Sequence, residues 1–253
     1  MARITAICNQ KGGVGKTTTA HALAAGLSAR FFRVLIIDAD PQGNLSYSMR
    51  ADTNNKGLFE AFYGEPVTVL IQPTSQGDII ASSTRLIGAD KIFVEYGMEY
   101  LLSDAIAPIK EKYDYIIIDS PPQLGVLIVN ALVACTDIII PLTADMYAMQ
   151  GLSQLILNVD KVKRHPNPNI RIDGILLTRH SGRSILSRDL KESIEARAAE
   201  MGTRLYNTVI REGVAVRECQ TQRTNVFEYA PKSKVASDYD AFVREYLNCE
   251  RLS

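Results

Sequence analysis

Five short stretches of this chain are apolar at almost every position, where a half-exposed strand would alternate. They run from Ile4 to Cys8, Arg33 to Asp38, Tyr113 to Asp119, Thr136 to Pro141 and Ile172 to Thr178. Continuous apolar runs rich in β-branched residues predict buried strands of a parallel sheet covered on both faces. Between them the period changes to that of a helix. Thr17 to Arg30 is rich in Ala and Leu, and Leu152, Leu155, Ile156, Val159 and Val162 fall on one helical face. Leu190, Ile194, Ala198 and Met201 fall on another. This alternation predicts an α/β fold: a doubly wound, mostly parallel sheet with helices on both faces. Its ligands are expected at the C-terminal ends of the strands. Residues 50–100 are less regular and richer in Gly, Thr and Ser. They are expected to form helices and loops over the ligand side.

Composition narrows the class. The 253 residues are 46% hydrophobic and 22% charged. That suits one large domain spanning 1–253 with a substantial core. The formal net charge is +0, unevenly spread. Residues 1–160 carry 11 Lys and Arg against 16 Asp and Glu, and residues 161–253 carry 17 against 12. The C-terminal part is therefore the expected face for a polyanion. The four cysteines, Cys8, Cys135, Cys219 and Cys249, lack metal-ligand spacing and fit a reducing, cytoplasmic setting. Met1 leads straight into a strand, with no signal-peptide pattern. No apolar run approaches the ~20 residues of a membrane span.

The first chemical feature is Lys11-Gly12-Gly13-Val14-Gly15-Lys16-Thr17-Thr18, set between the first strand and the first helix. Glycines let the backbone turn tightly and aim its N–H groups inward, and the helix N-terminus adds partial positive charge. Gly15-Lys16-Thr17 fits the end of a phosphate-binding loop, but Gln10 stands where the usual first glycine would be. Lys16 takes the place of the lysine that reaches the β- and γ-phosphates, and Thr17 offers a hydroxyl to Mg²⁺. Lys11 is a second cation at the loop entrance, which suggests an ATP shared between two subunits.

Acids converge on the same edge. The second strand ends Asp38-Ala39-Asp40-Pro41-Gln42-Gly43-Asn44, and the strand at 113–119 ends Asp119-Ser120-Pro121-Pro122. Carboxylates at strand ends beside a phosphate loop need a cation, and Mg²⁺·ATP supplies one. Asp114 and Asp137 open strands and are expected to be structural.

These residues resemble the deviant Walker A loop and the two acidic signatures of the ParA/MinD superfamily of P-loop ATPases. The resemblance implies an ATP-sandwich dimer with Lys11 reaching the partner's nucleotide and Lys16 acting in cis. It implies that Asp38 lies near the Mg²⁺ shell, that Asp119 holds Mg²⁺ through water, and that Asp40 orients the attacking water. The stretch from Pro141 to Leu152, with Asp145 where the pattern usually has Glu, is similar to the ParA/Soj type. So are Ile210-Arg211, Glu218, Tyr229 to Ser233 and Asp238-Tyr239. The match is to the short form without an N-terminal helix-turn-helix.

By that resemblance the protein is a slow ATPase of plasmid or chromosome partitioning. It would bind non-specific DNA as the ATP dimer, answer to a ParB-type partner, and sit on the nucleoid in the cytoplasm. Ala215 stands where Soj-like proteins usually carry a base. The DNA candidates are therefore Arg211, Arg217, Arg223, Lys232 and Lys234, or Arg179, Arg183 and Arg188. Thr178-Arg179 occupies the strand end where several relatives place an Asn at the adenine. A MinD-like membrane role needs a basic amphipathic tail, but the stretch from Val235 to Ser253 is net acidic. Its stripe of Tyr239, Phe242, Val243, Tyr246 and Leu247 predicts a helix docked on the core. A nitrogenase-like role needs paired cluster cysteines, which Cys135 alone does not supply.

Overall fold

The computed structural model describes residues 1–145, 148–180 and 185–250, with the side chains of 185–188 and 249–250 left aside. Seven strands form one sheet: β1 (Arg3–Ile7), β2 (Val34–Asp38), β3 (Ile71–Thr74), β4 (Gly77–Ile80), β5 (Tyr115–Asp119), β6 (Asp137–Thr143) and β7 (Arg171–Thr178). Their order is β3-β4-β2-β5-β1-β6-β7. All neighbours are parallel except β3, which runs antiparallel to β4. The helices are α1 (Lys16–Ser28), α2 (Asn44–Ser48), α3 (Leu58–Phe62), α4 (Ala89–Ile92), α5 (Leu101–Ile106) and α6 (Val126–Ala134). They continue with α7 (Ala148–Arg164), α8 (Ile185–Glu200), α9 (Val214–Thr221), α10 (Val226–Tyr229) and α11 (Lys234–Glu250).

The apolar runs are strands because both of their faces are covered. Ile4, Ala6, Leu35, Ile37, Ile116, Ile118 and Ile138 pack into one core with α3, α5, α6 and α7. Ile7, Ile36, Ile117 and Ile139 pack into a second core with α1 and α11. The tail helix docks as its stripe predicted: Tyr239, Phe242, Val243 and Tyr246 are buried, and α11 lies on α1. At Gly26 a β-carbon would stand 2.6 Å from Val243 Cγ2, so this helix pair needs a glycine at its crossing.

Residues 50–100 depart from expectation. They contribute the β3–β4 hairpin and helices that cover the α6 side of the sheet. β3 is short, half-exposed and contains Pro73, which an edge strand tolerates because its free side needs no donor. Its residues therefore show no apolar run. The segment approaches the acids at the strand ends through Ser82, whose hydroxyl donates to the Asp40 carbonyl at 2.6 Å. Asp114 and Asp137 are structural, as expected. Asp114 accepts from Arg33, and Asp137 lies between Arg3 and Arg171.

Candidate functional site

β1 is central in the sheet, and its C-terminal end releases the chain into the loop 8–15. Gly13 (φ 75°) and Gly15 (φ 86°) take left-handed conformations, which makes the loop turn back on itself. Gly15 caps α1 without a side-chain hydrogen bond, and Thr19 N–H is the first donor to bond back, to the Gly15 carbonyl. The N–H groups of Lys16, Thr17 and Thr18 are thus available to an anion at the helix N-terminus. The loop is held from outside. Thr178 Oγ1 donates to the Val14 carbonyl at 2.8 Å, and Asn9 Nδ2 donates to the Pro141 carbonyl at 2.7 Å. Asn9 Oδ1 in turn accepts from Lys11 N–H.

The two lysines are handled differently. Lys16 is buried and donates from Nζ to the Lys11 carbonyl at 3.2 Å. Burial pushes its pKa down, while the charges of Asp119 and Asp40 oppose that fall. Lys11 is half-exposed, and its ammonium pairs with Asp145, which also accepts from Thr143 Oγ1.

Parallel registry sets Asp38 of β2 directly beside Asp119 of β5. Both are fully buried. Ser46 donates to Asp38 Oδ2 from its N–H at 2.8 Å and its hydroxyl at 2.7 Å, and Asp40 N–H donates to Oδ1. Burial outweighs these bonds and pushes the Asp38 pKa up to about 6. Asp119 rises well above the carboxylate range through burial first and the neighbouring Asp38 charge second, against the pull of Lys16 and Thr17. Its two oxygens have no hydrogen-bond partner of normal geometry, although Thr17 lies beside them. Two adjacent buried carboxylates, one of them orphaned, beside a threonine hydroxyl and a phosphate loop, are a donor set that fits Mg²⁺. Asp40 is buried at the cleft wall and accepts from Gln42 N–H at 3.0 Å.

The open space over this apparatus is a cleft of about 840 Å³. Gly12, Gly13, Gly15, Lys16, Thr17, Thr18 and Asp40 form one side. Thr178, Arg179, Ile210, Gly213, Val216, Gln220 and Tyr239 form much of the other. Gln220 Nε2 donates to Thr18 Oγ1 at 3.1 Å and ties α9 to the loop. The Lys11 side chain stands apart, on Asp145. Sequence reasoning missed Ser46, Ser82 and the α9 residues Val216 and Gln220. Ser46 carries a readable signal, since a serine eight positions after a strand-ending Asp caps it across the α2 turn. The α9 residues carry none, because β7 and its following segments must first bring them alongside.

The basic candidates are dispersed by the fold. Arg211 is clamped by both oxygens of Asp238, at 2.6 and 2.8 Å, so it is first a structural residue. Arg179 pairs with Glu212 and, like Arg211 and Arg217, lines the cleft. Arg223 stacks on Tyr47 and donates to its carbonyl. Lys232 and Lys234 are exposed. Ala215, where a base was expected, packs against the α1–α11 core. Arg183 and the Arg188 side chain, like Met146, Tyr147 and Arg251, lie outside the described residues.

Known proteins decide the family. Residues 2–172 match the family described as AAA domain. The chromosome partitioning protein ParA of Myxococcus xanthus is 37% identical over 97% of this chain and 88% of its own length. The sporulation initiation inhibitor protein Soj of Bacillus subtilis is 36% identical over 97% and 98%. The chain belongs to the ParA/Soj family of partition ATPases. Among solved structures, cobyrinic acid a,c-diamide synthase from Mycobacterium smegmatis with bound ATP analog and magnesium superimposes with a TM-score of 0.82. It is 31% identical, with 98% of this chain and 94% of that one covered. As a ParA/Soj ATPase the protein converts ATP to ADP and phosphate with Mg²⁺. Among the described residues no helix is long and apolar enough to cross a membrane.

Proposed function

We propose that this ATPase is a nucleotide-switched partition protein. The observation that carries this reading is the separation of the two lysines: Lys16 is buried against its own loop, while Lys11 turns to Asp145 at the loop entrance. In this reading Gly12 to Thr18 bind the phosphates of ATP, with Lys16 on the β- and γ-phosphates. Thr17, Asp38 and Asp119 hold Mg²⁺, directly or through water. The ion supplies positive charge that relieves the mutual repulsion of the buried carboxylates and offsets charge developing on the phosphates. Asp40, fixed by Gln42 N–H, orients the attacking water.

Lys11 leaves Asp145 to reach the nucleotide of a second subunit. An interface between two triphosphates is dry, and a lysine from each side is worth more there than in water. ATP binding thus makes a homodimer, and the dimer binds DNA without sequence preference through the basic C-terminal third. A ParB-type partner stimulates hydrolysis, and a chromosome or plasmid is the cargo. The docked α11 supports this reading over membrane attachment, because its apolar stripe is already buried in the protein.

The test is DNA binding by filter retention at low salt with ATP, with ADP and without nucleotide, on wild type and on the Asp40→Ala protein, which traps the ATP dimer. Binding only with ATP, absent in Lys11→Ala, is the expected result. A trapped dimer that fails to retain DNA rejects the DNA step.

A further inference from the structure

A second large concavity lies apart from the cleft over the glycine loop. It is a groove of about 720 Å³ between α3, α4 and α5, sharing no lining residue with the cleft over the glycine loop. Its floor is apolar: Phe62, Phe93, Met98 and Leu101 line it, and Phe93 stands edge-on to Phe62 with ring centres 5.5 Å apart. Its rim is unusually bare. Tyr63 is 64% exposed and Ile92 43%, and both line it. Surface that apolar, gathered round a concavity, marks a place where another molecule sits.

Charge says what kind. Three ionisable carboxyl side chains line the groove, Glu65, Glu95 and Asp104, and no lysine or arginine does. Glu65 is paired with Lys56 at 2.8 Å. Glu95 and Asp104 make no ion pair among the described residues. Lys91 and Lys110, close in sequence, do not line the space. An apolar floor with unneutralised carboxylates above it selects an amphipathic segment with basic flanks. Lipid is a poor occupant, because anionic headgroups would meet the same carboxylates.

We propose that the α3–α5 groove is the docking site for a basic amphipathic helix of a partner protein. Its apolar face seats on Phe62, Phe93 and Met98, and its Lys or Arg side chains pair with Glu95 and Asp104. Met98 suits such a role, since a thioether chain repacks readily around different side chains. The proposal stands apart from the partition reading above, because none of its residues lines the cleft over the glycine loop.

A displayed library of random helical peptides of roughly 16 residues, about four turns, is selected on the intact protein. The winners are then measured by fluorescence anisotropy. Enriched peptides are expected to be net basic, with aromatic or aliphatic residues at i, i+3 and i+4. Their affinity should fall about tenfold or more, at least 1.4 kcal/mol, in Glu95→Lys/Asp104→Lys and in Tyr63→Ser/Ile92→Ser. All four side chains are exposed, so circular dichroism should show both variants folded. The control Asp52→Lys/Glu111→Lys, at residues that do not line the groove, should bind as wild type does. No enrichment, acidic winners, or equal binding by the groove variants overturns the proposal. So does loss of self-association in Glu95→Lys/Asp104→Lys by light scattering, which would assign the groove to a second copy of this chain.

Discussion

At the scale of single residues, the two lysines of the loop make opposite predictions. Lys16→Ala removes the buried cation between the glycine loop and the acids, so Mg²⁺·ATP turnover should fall by about 10²-fold or more. Phosphate-release assays with titration calorimetry check this, and undiminished binding and turnover would refute the role. Lys11 is restrained by Asp145 in the single chain. Both side chains are more than a third exposed, so the pair is worth up to about 1 kcal/mol. Asp145→Asn should therefore release Lys11 and tighten ATP-driven dimerisation by up to about fivefold, read by light scattering against ATP concentration. A variant that dimerises more weakly than wild type would mean that Asp145 serves the dimer rather than restrains its lysine.

His21 gives a pH prediction. It is buried in α1 against Gln76 Oε1 at 3.0 Å. Gln76 spends its amide hydrogens on the carbonyls of Ser48 and Arg223, so its oxygen must accept and His21 must donate from Nε2. Burial keeps the ring neutral and pushes its pKa down to about 4, against an opposing pull from the Gln76 bond and the Glu228 charge. The unfolded chain takes a proton near pH 6.5 and the folded one only near 4. The contribution is therefore whole above 6.5 and is lost as pH falls through that window, by about 3 kcal/mol. Asp38 runs the other way, because its folded pKa is raised. The difference between wild type and His21→Gln isolates the histidine. Urea midpoints between pH 7 and 4 should converge as pH falls, and parallel curves would refute the assignment.

At the scale of elements, the α1–α11 crossing is the sharpest contact. Ala usually favours a helix over Gly by up to about 1 kcal/mol. Here the added methyl meets Val243 at 2.6 Å, and overpacking typically costs 1–3 kcal/mol, as a rough range. Gly26→Ala should thus destabilise the fold, and Gly26→Ala/Val243→Ala should recover part of the loss because the methyls that collide are gone. Urea denaturation of both variants measures the coupling, and simple additivity would show that the helices separate freely. The same scale shows why β3 and β4 escaped notice while the central strands did not. Two-sided burial writes an apolar run into a strand, whereas an edge hairpin carrying Pro73 and Gly77 is written by its turn and its neighbours.

At the scale of the whole molecule, the basic C-terminal third is less free than its composition suggests. Arg211 holds Asp238 and Arg179 holds Glu212. Arg211→Glu should therefore damage folding by facing Asp238 with a like charge, and its effect on DNA would be uninterpretable. Lys232→Glu/Lys234→Glu leaves those ion pairs and the cleft lining alone. It should abolish retention of DNA by the ATP dimer while light scattering still shows the dimer. Wild-type retention should weaken steeply with salt, because each neutralised phosphate releases counterions. Full retention by the double variant would move the DNA surface elsewhere.

Residues Lys11 to Thr18, Asp38, Asp40 and Asp119 were legible in the chain because each sits at a junction that local chemistry defines. Glycines permit the turn, a helix follows, and an acid ends an apolar run. The parallel α/β class was legible because burial on both faces leaves no polar alternation. The tertiary structure alone decided what those residues meet. Registry between β2 and β5, strands 81 residues apart in partner positions Asp38 and Asp119, sets two carboxylates side by side at the strand ends. Folding of α9 over the loop supplies Gln220 to Thr18, and Asp145 captures Lys11 across the loop entrance. The α3–α5 groove likewise exists only after helices from separate stretches are laid on α6. Local sequence sets conformation through neighbours a few bonds away, whereas these contacts arise between distant segments whose relative placement the packed core determines.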